Sequence, residues 1–526
     1  MPRRGVRWLG VLAAVVVASC SGARGTGGAD GPPTAAEASR FLAQATYGPT
    51  DAAISQVRAA GYSQWIDQQM VTPAPRSHLG DMDTTLAELR LTNPGATLNP
   101  PDFYASYWRQ AVTGPDQLRQ RMKLALSEIF VISLVDSNVE LRGASSYYDM
   151  LGQNAFGNFR TLLEQVTLHP MMGVYLTWLG NQKEDPATGR NPDENYAREV
   201  MQLMTIGVSQ LNPDGTVRTD VSGRPLPTYT AADISGLAKV FTGYSYYAPT
   251  PNAGTFRGGS RQTNDATVRS MIPYPQFHST SAKSFLGVTI PESTTPDPQG
   301  DLKIALDTLF NHPNVGPFIG RQLIQRLVTS NPSPQYVGRV AAVFNNNGKG
   351  VRGDMAAVVR AILLDPEARA VGNGVNDGKL REPVVRLANW ARAFGAASAS
   401  GDWAITSTSG NTSLGQSALT APSVFNFFRP GYSPPNTRVG DAGLVAPEAQ
   451  IVDEVTVAGY LNTMQSAIDG GIGTSRDVRS AYAAEIAVAS DANALVDRMD
   501  LLLLNGRMSP GLRGRIAGAV GAINVS

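Results

Sequence analysis

Apolar side chains recur at every third or fourth position through most of the chain. Because an α-helix has about 3.6 residues per turn, this spacing places the apolar side chains on one face of a helix. The pattern is clearest between Asp116 and Val135, between Tyr147 and Val166, and in several segments after Asp301. It predicts a mainly α protein, in which residues 33–526 form a single large multi-helix domain.

Four stretches depart from the helical pattern. Residues 208–218 contain two short runs around the turn Asn212–Gly215, which is typical of a small β-hairpin. Residues 72–101 are polar and Pro-containing and are predicted to be loop with one short helix near Thr84 to Leu91. Two segments, at about residues 244–300 and 401–447, are rich in Gly, Pro, Ser and Thr. This composition predicts two long irregular loops.

The segment Asn191–Gly207 is the best-specified helix of the pattern. Asn191 suits an N-cap, Pro192 suits the first helical position, and Gly207 suits the end of a helix. Its apolar side chains form one stripe, while four polar side chains recur at i, i+3, i+4 and i+7 and share a second face. These four are Asn195, Arg198, Glu199 and Gln202. This polar face is either an ordinary solvated surface or one wall of a site.

The first twenty residues have the pattern of an export signal. Three arginines precede an apolar run, Leu9 to Val17, which is too short to span a membrane. The run ends in Val-Ala-Ser-Cys20, which resembles the lipobox of bacterial lipoproteins, and Cys20 is the only cysteine in the chain. The alternative is a cleaved signal peptide whose cysteine is incidental.

The lipobox reading predicts how the protein is held at the cell envelope. Residues 1–19 would be a signal peptide, Cys20 would carry the lipid, and residues 20–32 would form a flexible tether. The expected location is the outer membrane or the outer face of the cytoplasmic membrane. The membrane is then a partner through the lipid alone.

Charge and motif content exclude several classes of function. The chain has 44 basic and 43 acidic residues and no clustered basic stripe, so nucleic-acid binding is not expected. It lacks a phosphate-binding Gly-rich loop, a dinucleotide fingerprint, a Gly-x-Ser-x-Gly elbow and Cys/His zinc spacing. No nucleotide is therefore expected, and the sequence assigns no cofactor or metal.

Among the four histidines, one stands out as a candidate for chemistry. His169 and His312 each precede a proline at a predicted helix end, and His78 falls in a predicted loop. His278 lies in the long loop between apolar anchors. That segment is either an ordinary ordered loop or a pinned segment that presents polar side chains.

A site results if the loop bearing His278 folds over the polar face of the Asn191–Gly207 helix. The candidate catalytic residues are then Glu199, His278, Arg198 and Asn195. In this hypothesis Glu199 and His278 act as base and acid or bind a metal, and Arg198 holds an anionic group.

Several ordered motifs resemble those of a known family. They are Arg40–Gly48, Leu124–Phe130, Asn154–Arg160, Asp193–Glu199, Tyr229–Asp233, Phe241–Tyr244, His278 with Lys283–Gly287, and Leu414–Gln416. Together they resemble a large, mostly bacterial family of exported proteins known as domain of unknown function eighteen hundred. The resemblance runs from about Ala35 to Asn524.

The resemblance implies export but no established activity. Members are often encoded beside a second exported family with an alkaline-phosphatase-like fold, so a protein of that kind is a possible partner. This sequence departs from the family pattern at three positions: Asp193 replaces Asn, Ser279 replaces the Asp that often follows the loop histidine, and Tyr244 replaces Trp. The change at Ser279 weakens any scheme that needs a His-Asp metal pair there.

Two readings of function follow. The first is a lipid-anchored surface protein that acts as a binding or assembly component with another exported protein. The alternative is a hydrolase-type enzyme on an extracytoplasmic polymer, which would use the Glu199 and His278 site. A purely structural role in the envelope would leave the polar face without a purpose.

Overall fold

A computed structural model describes residues 32–256, 265–370 and 377–523. The predicted signal peptide and Cys20 lie outside the described residues. The part of the chain that is described packs around one continuous hydrophobic core. None of the helices described there has both the length and the apolar character needed to cross a bilayer.

Helices dominate the structure, and this confirms the predicted mainly α class. The first group comprises α1 (Ala35–Ala45), α2 (Asp51–Val71), α3 (His78–Thr92), α4 (Pro100–Thr113), α5 (Gln117–Ser127), α6 (Leu141–Gln153), α7 (Phe159–Leu168) and α8 (Pro170–Tyr175). The central group comprises α9 (Asn195–Gln202), α10 (Ala231–Val240), α11 (Ala253–Phe256), α12 (Pro298–Asn311), α13 (Val315–Leu327), α14 (Pro334–Asn345), α15 (Met355–Leu364), α16 (Pro366–Arg369) and α17 (Pro383–Ala393). The last group comprises α18 (Arg438–Asp441), α19 (Glu454–Gly470), α20 (Ala483–Ile486), α21 (Ala492–Met499) and α22 (Pro510–Gly521), with a π-helical turn at Asp500–Leu504.

Among the described residues, three small antiparallel sheets interrupt the helices. They pair β1 (Tyr244–Ser245) with β2 (Ile272–Pro273), β3 (Lys283–Phe285) with β4 (Val288–Ile290), and β5 (Ala397–Ser398) with β6 (Val478–Arg479). The predicted turn at Asn212–Gly215 is present, and a bridge between Leu211 and Val217 closes it.

The hairpin of β3 and β4 lies inside the first predicted long loop and was not expected from the sequence. Its turn residues Leu286 and Gly287 both have positive φ, 50° and 79°. Two-residue hairpin turns of type I′ require this conformation, and they are usually signalled by Asn-Gly or Asp-Gly. Leu-Gly is a weaker signal, so the pairing could not be predicted from the turn.

Helix α9 begins later than the sequence predicts. Asn191 was expected as its N-cap, but the helix starts at Asn195. The side chain of Asn181 accepts a hydrogen bond from the backbone N–H of Asp193 at 2.9 Å and holds the preceding segment out of the helix. The Asp193 carboxylate then accepts the N–H of Asn195 at 2.8 Å. A contact from another part of the chain therefore overrides the local capping signal.

Helix α10 lies directly against the β3 strand and determines where the loop around His278 lies. A Cβ atom added to Gly236 in α10 would lie 1.8 Å from the backbone oxygen of Ser284 in β3. The close approach therefore requires glycine at this position, and it holds Lys283 in β3 beside the helix.

We expect Gly236→Ala to lower the free energy of unfolding by about 2–3 kcal/mol, because the added methyl group has to displace backbone. Gly518→Ala in α22 is the matched control, since a Cβ there meets nothing within 4 Å. The control should be neutral or stabilising by about 0.5–1 kcal/mol, the ordinary gain of alanine over glycine in a helix. Urea unfolding followed by circular dichroism measures both. Equal effects of the two substitutions would contradict the close packing.

Candidate functional site

The polar face of α9 is present, but its residues lie in different surroundings. Asn195 begins the helix beside Asp193, and its side-chain amide lies 3.4 Å from the hydroxyl of Thr177. Arg198 is exposed and forms an ion pair with Glu194 at 3.3 Å, as the i, i+4 spacing predicts. These two candidates therefore have local partners.

Glu199 is the buried member of this face, with 6% of its surface exposed. Its Oε2 atom has no hydrogen-bond partner among the described residues. Burial raises the pKa of Glu199, and the charge of Arg198 opposes that effect only in part. Burial raises the pKa of Tyr229, and the nearby charge of Glu199 raises it further. The Tyr229 hydroxyl donates a hydrogen bond to Gln202 Oε1 at 3.1 Å. A buried carboxyl group whose pKa is raised is a candidate proton donor or acceptor.

His278 is completely buried, and both of its ring nitrogens face protein oxygens. Its Nδ1 lies 2.8 Å from the backbone oxygen of Thr242, and its Nε2 lies 2.9 Å from Asp301 Oδ2. Lys283 Nζ lies 2.9 Å from the same Asp301 oxygen. His278, Asp301 and Lys283 therefore form a buried network, which we call the Asp301 network.

Asp301 is the acidic partner of His278, and sequence reasoning missed it. It lies in the first turn of α12, where a carboxylate also suits the helix dipole, so its position gave no signal of a second role. Burial alone would raise the pKa of Asp301, but the hydrogen bonds from His278 and Lys283 outweigh burial and lower it. Ser279, which replaces the family's Asp, donates instead to Glu184 Oε1 at 2.9 Å.

The candidate residues fall into two groups at opposite ends of α10. Glu199 and Arg198 lie beside Tyr229, which precedes α10, whereas His278 lies against Thr242, which follows it. A helix of this length is about 15 Å long. Among the described contacts none joins Glu199 to His278. The site of Glu199, His278, Arg198 and Asn195 therefore remains a prediction. Of these residues, the structure shows an electrostatic interaction only between Arg198 and Glu199.

A second buried charged cluster was not foreseen. Arg121 of α5 pairs with Glu382 at 3.7 Å, and Arg326 of α13 pairs with Glu128 at 3.4 Å. Burial and the neighbouring Glu382 raise the pKa of Glu128. Glu128 and Gln416 line a cavity of about 10 Å³, which has room for about one water molecule. The cavity is too small for a substrate, so this cluster supports the fold. The motifs at Leu124–Phe130 and Leu414–Gln416 supply Glu128 and Gln416 of this cluster, whereas Arg121, Arg326 and Glu382 lie outside them.

Fold and site together define a mainly α-helical protein in which buried charged residues join distant segments. Within the described part of the chain, no group of three or more His, Cys, Asp or Glu side chains is arranged to hold a metal ion. The family described as Protein of unknown function (DUF1800) matches residues 40–525. The chain belongs to this family. Neither a curated protein nor a solved structure shows significant similarity to the chain.

We expect Asp301→Asn to lower the free energy of unfolding by about 3 kcal/mol near neutral pH, because it leaves buried Lys283 without its carboxylate. The pKa of Asp301 is lowered in the folded state, so its stabilising contribution is present above the unfolded value, about pH 4, and disappears as the pH falls through the folded value. The difference between wild type and variant should therefore shrink below about pH 4.

Asp307→Asn, in the same helix, is the control for this substitution. Asp307 also pairs with cations, Arg160 and Lys303, but its side chain is partly exposed. We expect its loss to cost less than about 1 kcal/mol. Urea unfolding at several pH values measures both variants. A loss at Asp301 that is equal to the loss at Asp307, or independent of pH, would contradict the buried network.

Proposed function

We propose that this protein is an exported, lipid-anchored binding component that holds an amphipathic helix of another exported protein. The observation that carries the proposal is an apolar groove continuous with an unpartnered apolar stripe on α19. The export and lipid anchor follow from the leader and Cys20, which remain predictions from the sequence.

The groove lies between α17, α19, α21 and the π-helical turn. Its volume is about 490 Å³, which falls within the usual range of about 300–1,000 Å³ for ligand pockets. Aromatic and aliphatic side chains form most of its wall, including Trp390, Phe394, Tyr460 and Met464. Arg386 lies over the Tyr460 ring at 3.9 Å and presents a cation at the edge.

The stripe extends the apolar surface of the groove along α19. Met464 and Ile468 line the groove, and Leu461 and Val457 continue the same helix face at i, i+4, i+7 and i+11 spacing. Leu461 is 60% exposed and Ile468 is 49% exposed. Three turns of apolar side chains at this spacing are the pattern that packs against a second helix. The stripe therefore favours a helical occupant over a small compact ligand.

A hydrolase is the second candidate, and Glu199 is the observation in its favour. Its buried, unpartnered oxygen and raised pKa suit a general acid or base acting on an extracytoplasmic polymer. We rank the hydrolase below the binding role, because His278, the proposed partner of Glu199, forms hydrogen bonds with Thr242 and Asp301 instead.

Photocrosslinking in intact cells tests the binding proposal. A photoreactive residue at Leu461 should form one protein adduct, and one at Asn462, which is exposed but about a quarter-turn away from the stripe, should form none. Adding Val457→Glu to the Leu461 chain should reduce the adduct about tenfold, because a charge enters an apolar contact. The proposal is overturned if no protein adduct forms, or if both positions form adducts. It is also overturned if Val457→Glu leaves the adduct unchanged, or if the crosslinked product is a second copy of this chain.

A further inference from the structure

Lys123 of α5 is a buried amine whose surroundings differ from those of the other buried lysines. Its aliphatic chain lies against Gly152 of α6, and its Nζ lies 2.9 Å from His78 Nε2 and 4.9 Å from the centre of the Tyr148 ring. Only 3% of its surface is exposed. An ammonium group has three N–H donors, and the described hydrogen bonds use one of them.

The comparison with Lys283 and Lys379 shows what Lys123 lacks. Lys283 Nζ has the Asp301 carboxylate at 2.9 Å, and Lys379 Nζ has the Glu448 carboxylate at 2.7 Å. For Lys123, the described residues provide no carboxylate within ion-pair distance, and its close partner is an imidazole ring. Buried charges are usually paired, so an unpaired buried lysine is a candidate for chemistry.

The hydrogen bonds around His78 fix the role of its ring. Ser106 Oγ donates to Asp81 Oδ2 at 2.6 Å, so its oxygen accepts from His78 Nδ1 at 2.8 Å. This leaves Nε2 without a proton and pointing at Lys123. Burial, and then the charge of Lys123, lower the pKa of His78 well below its ordinary range, which keeps the ring neutral. Ser106 cannot give its proton to this ring, so a serine nucleophile is excluded and the amine is the reactive group.

Lys123 lines a cavity of about 400 Å³. Arg76, Arg119 and Asp149 line the same cavity, together with Ser77 and Gln120. Asp149 is already occupied, because its two oxygens accept the N–H groups of His78 and Leu79. Arg76 also pairs with Asp81 at 2.6 Å, and Arg119 lies 4.0 Å from Asp116. An anionic ligand would therefore take the place of these carboxylates beside the two guanidinium groups.

We propose that Lys123 forms an imine with a carbonyl compound that carries a carboxylate or phosphate group. The ammonium form first releases one proton to the solvent of the cavity. The neutral amine then attacks the carbonyl carbon, and its two remaining hydrogens leave with the carbonyl oxygen as one water molecule while the C=N bond forms. Addition of water reverses the step, and Arg76 and Arg119 hold the anionic group. This site is independent of the proposed binding role of α19.

The charged groups that face Lys123 set the pH range of this reaction. Burial lowers the pKa of Lys123 to about 8, and Arg119 of α5 also lowers it. Asp149 of α6, Asp116 before α5 and Asp81 of α3 oppose this effect. A shift of this size from the ordinary lysine value gives roughly a hundredfold more neutral amine at about pH 7.

Reductive trapping on the full-length protein tests the proposal. The protein is incubated with glyoxylate, with pyridoxal phosphate or with uncharged butyraldehyde, the imine is reduced with cyanoborohydride, and each lysine is quantified by peptide mass spectrometry. We expect Lys123 to be labelled by an anionic aldehyde at least about tenfold faster than exposed Lys349 near pH 7. The rate should rise with a midpoint near pH 8. Preference between glyoxylate and pyridoxal phosphate identifies the carboxylate or the phosphate as the recognised group.

Variants separate recognition from folding. Arg76→Gln, at a half-exposed side chain, should remove much of the preference for anionic over uncharged aldehydes while Lys123 is still labelled. Lys123→Met should abolish the fast labelling by the anionic aldehydes. If that variant does not fold, peptide mapping of the wild-type protein shows whether Lys123 is the labelled residue. Labelling of Lys123 no faster than Lys349 overturns the proposal. Equal labelling by all three aldehydes overturns the part of the proposal that assigns an anionic ligand to the cavity.

Discussion

A buried cluster of two arginines and two glutamates connects distant parts of this fold. The Arg121–Glu382 and Arg326–Glu128 pairs connect α5, α13 and the start of α17, and their side chains are almost fully buried. Removal of one partner from such a pair costs about 3–5 kcal/mol, because the remaining charge is left without compensation. The register of α5 is fixed in this way, and Lys123 follows Arg121 by two residues.

A buried charge needs a compensating partner, and this requirement distinguishes the structural charged residues from Lys123. Asp301 neutralises Lys283 and binds His278, so a long irregular segment is held against α10 and α12. Lys123 sits in an equally dry environment, but a neutral ring takes the place of the carboxylate. Desolvation is therefore compensated by pairing in the first case, and in the second case it lowers the pKa of the amine. The interior supports the fold through its pairs, while α19 exposes apolar side chains such as Leu461 and Ile468.

The sequence could predict what depends on neighbouring residues. Apolar periodicity located many of the helices, and composition located the two long irregular segments. The first part of α3 was missed, because residues 72–101 are predicted to be mainly loop. The i, i+4 spacing agrees with the Arg198–Glu194 pair. Contacts between distant residues could not be predicted. Asn181 moved the start of α9, Asp301 became the partner of His278, and His78, which was expected in a loop, begins α3 beside Lys123. Each depends on side chains that only the folded backbone brings together.

Lys123 is a buried amine that has no carboxylate within ion-pair distance among the described residues. The direct measurement is a pH titration of isotope-labelled lysine Cε signals by nuclear magnetic resonance, which is practicable because the chain has seven lysines. The signal assigned by Lys123→Arg should titrate with a midpoint near pH 8 and without loss of the folded spectrum. A midpoint at the ordinary lysine value, about 10.4, would contradict the account.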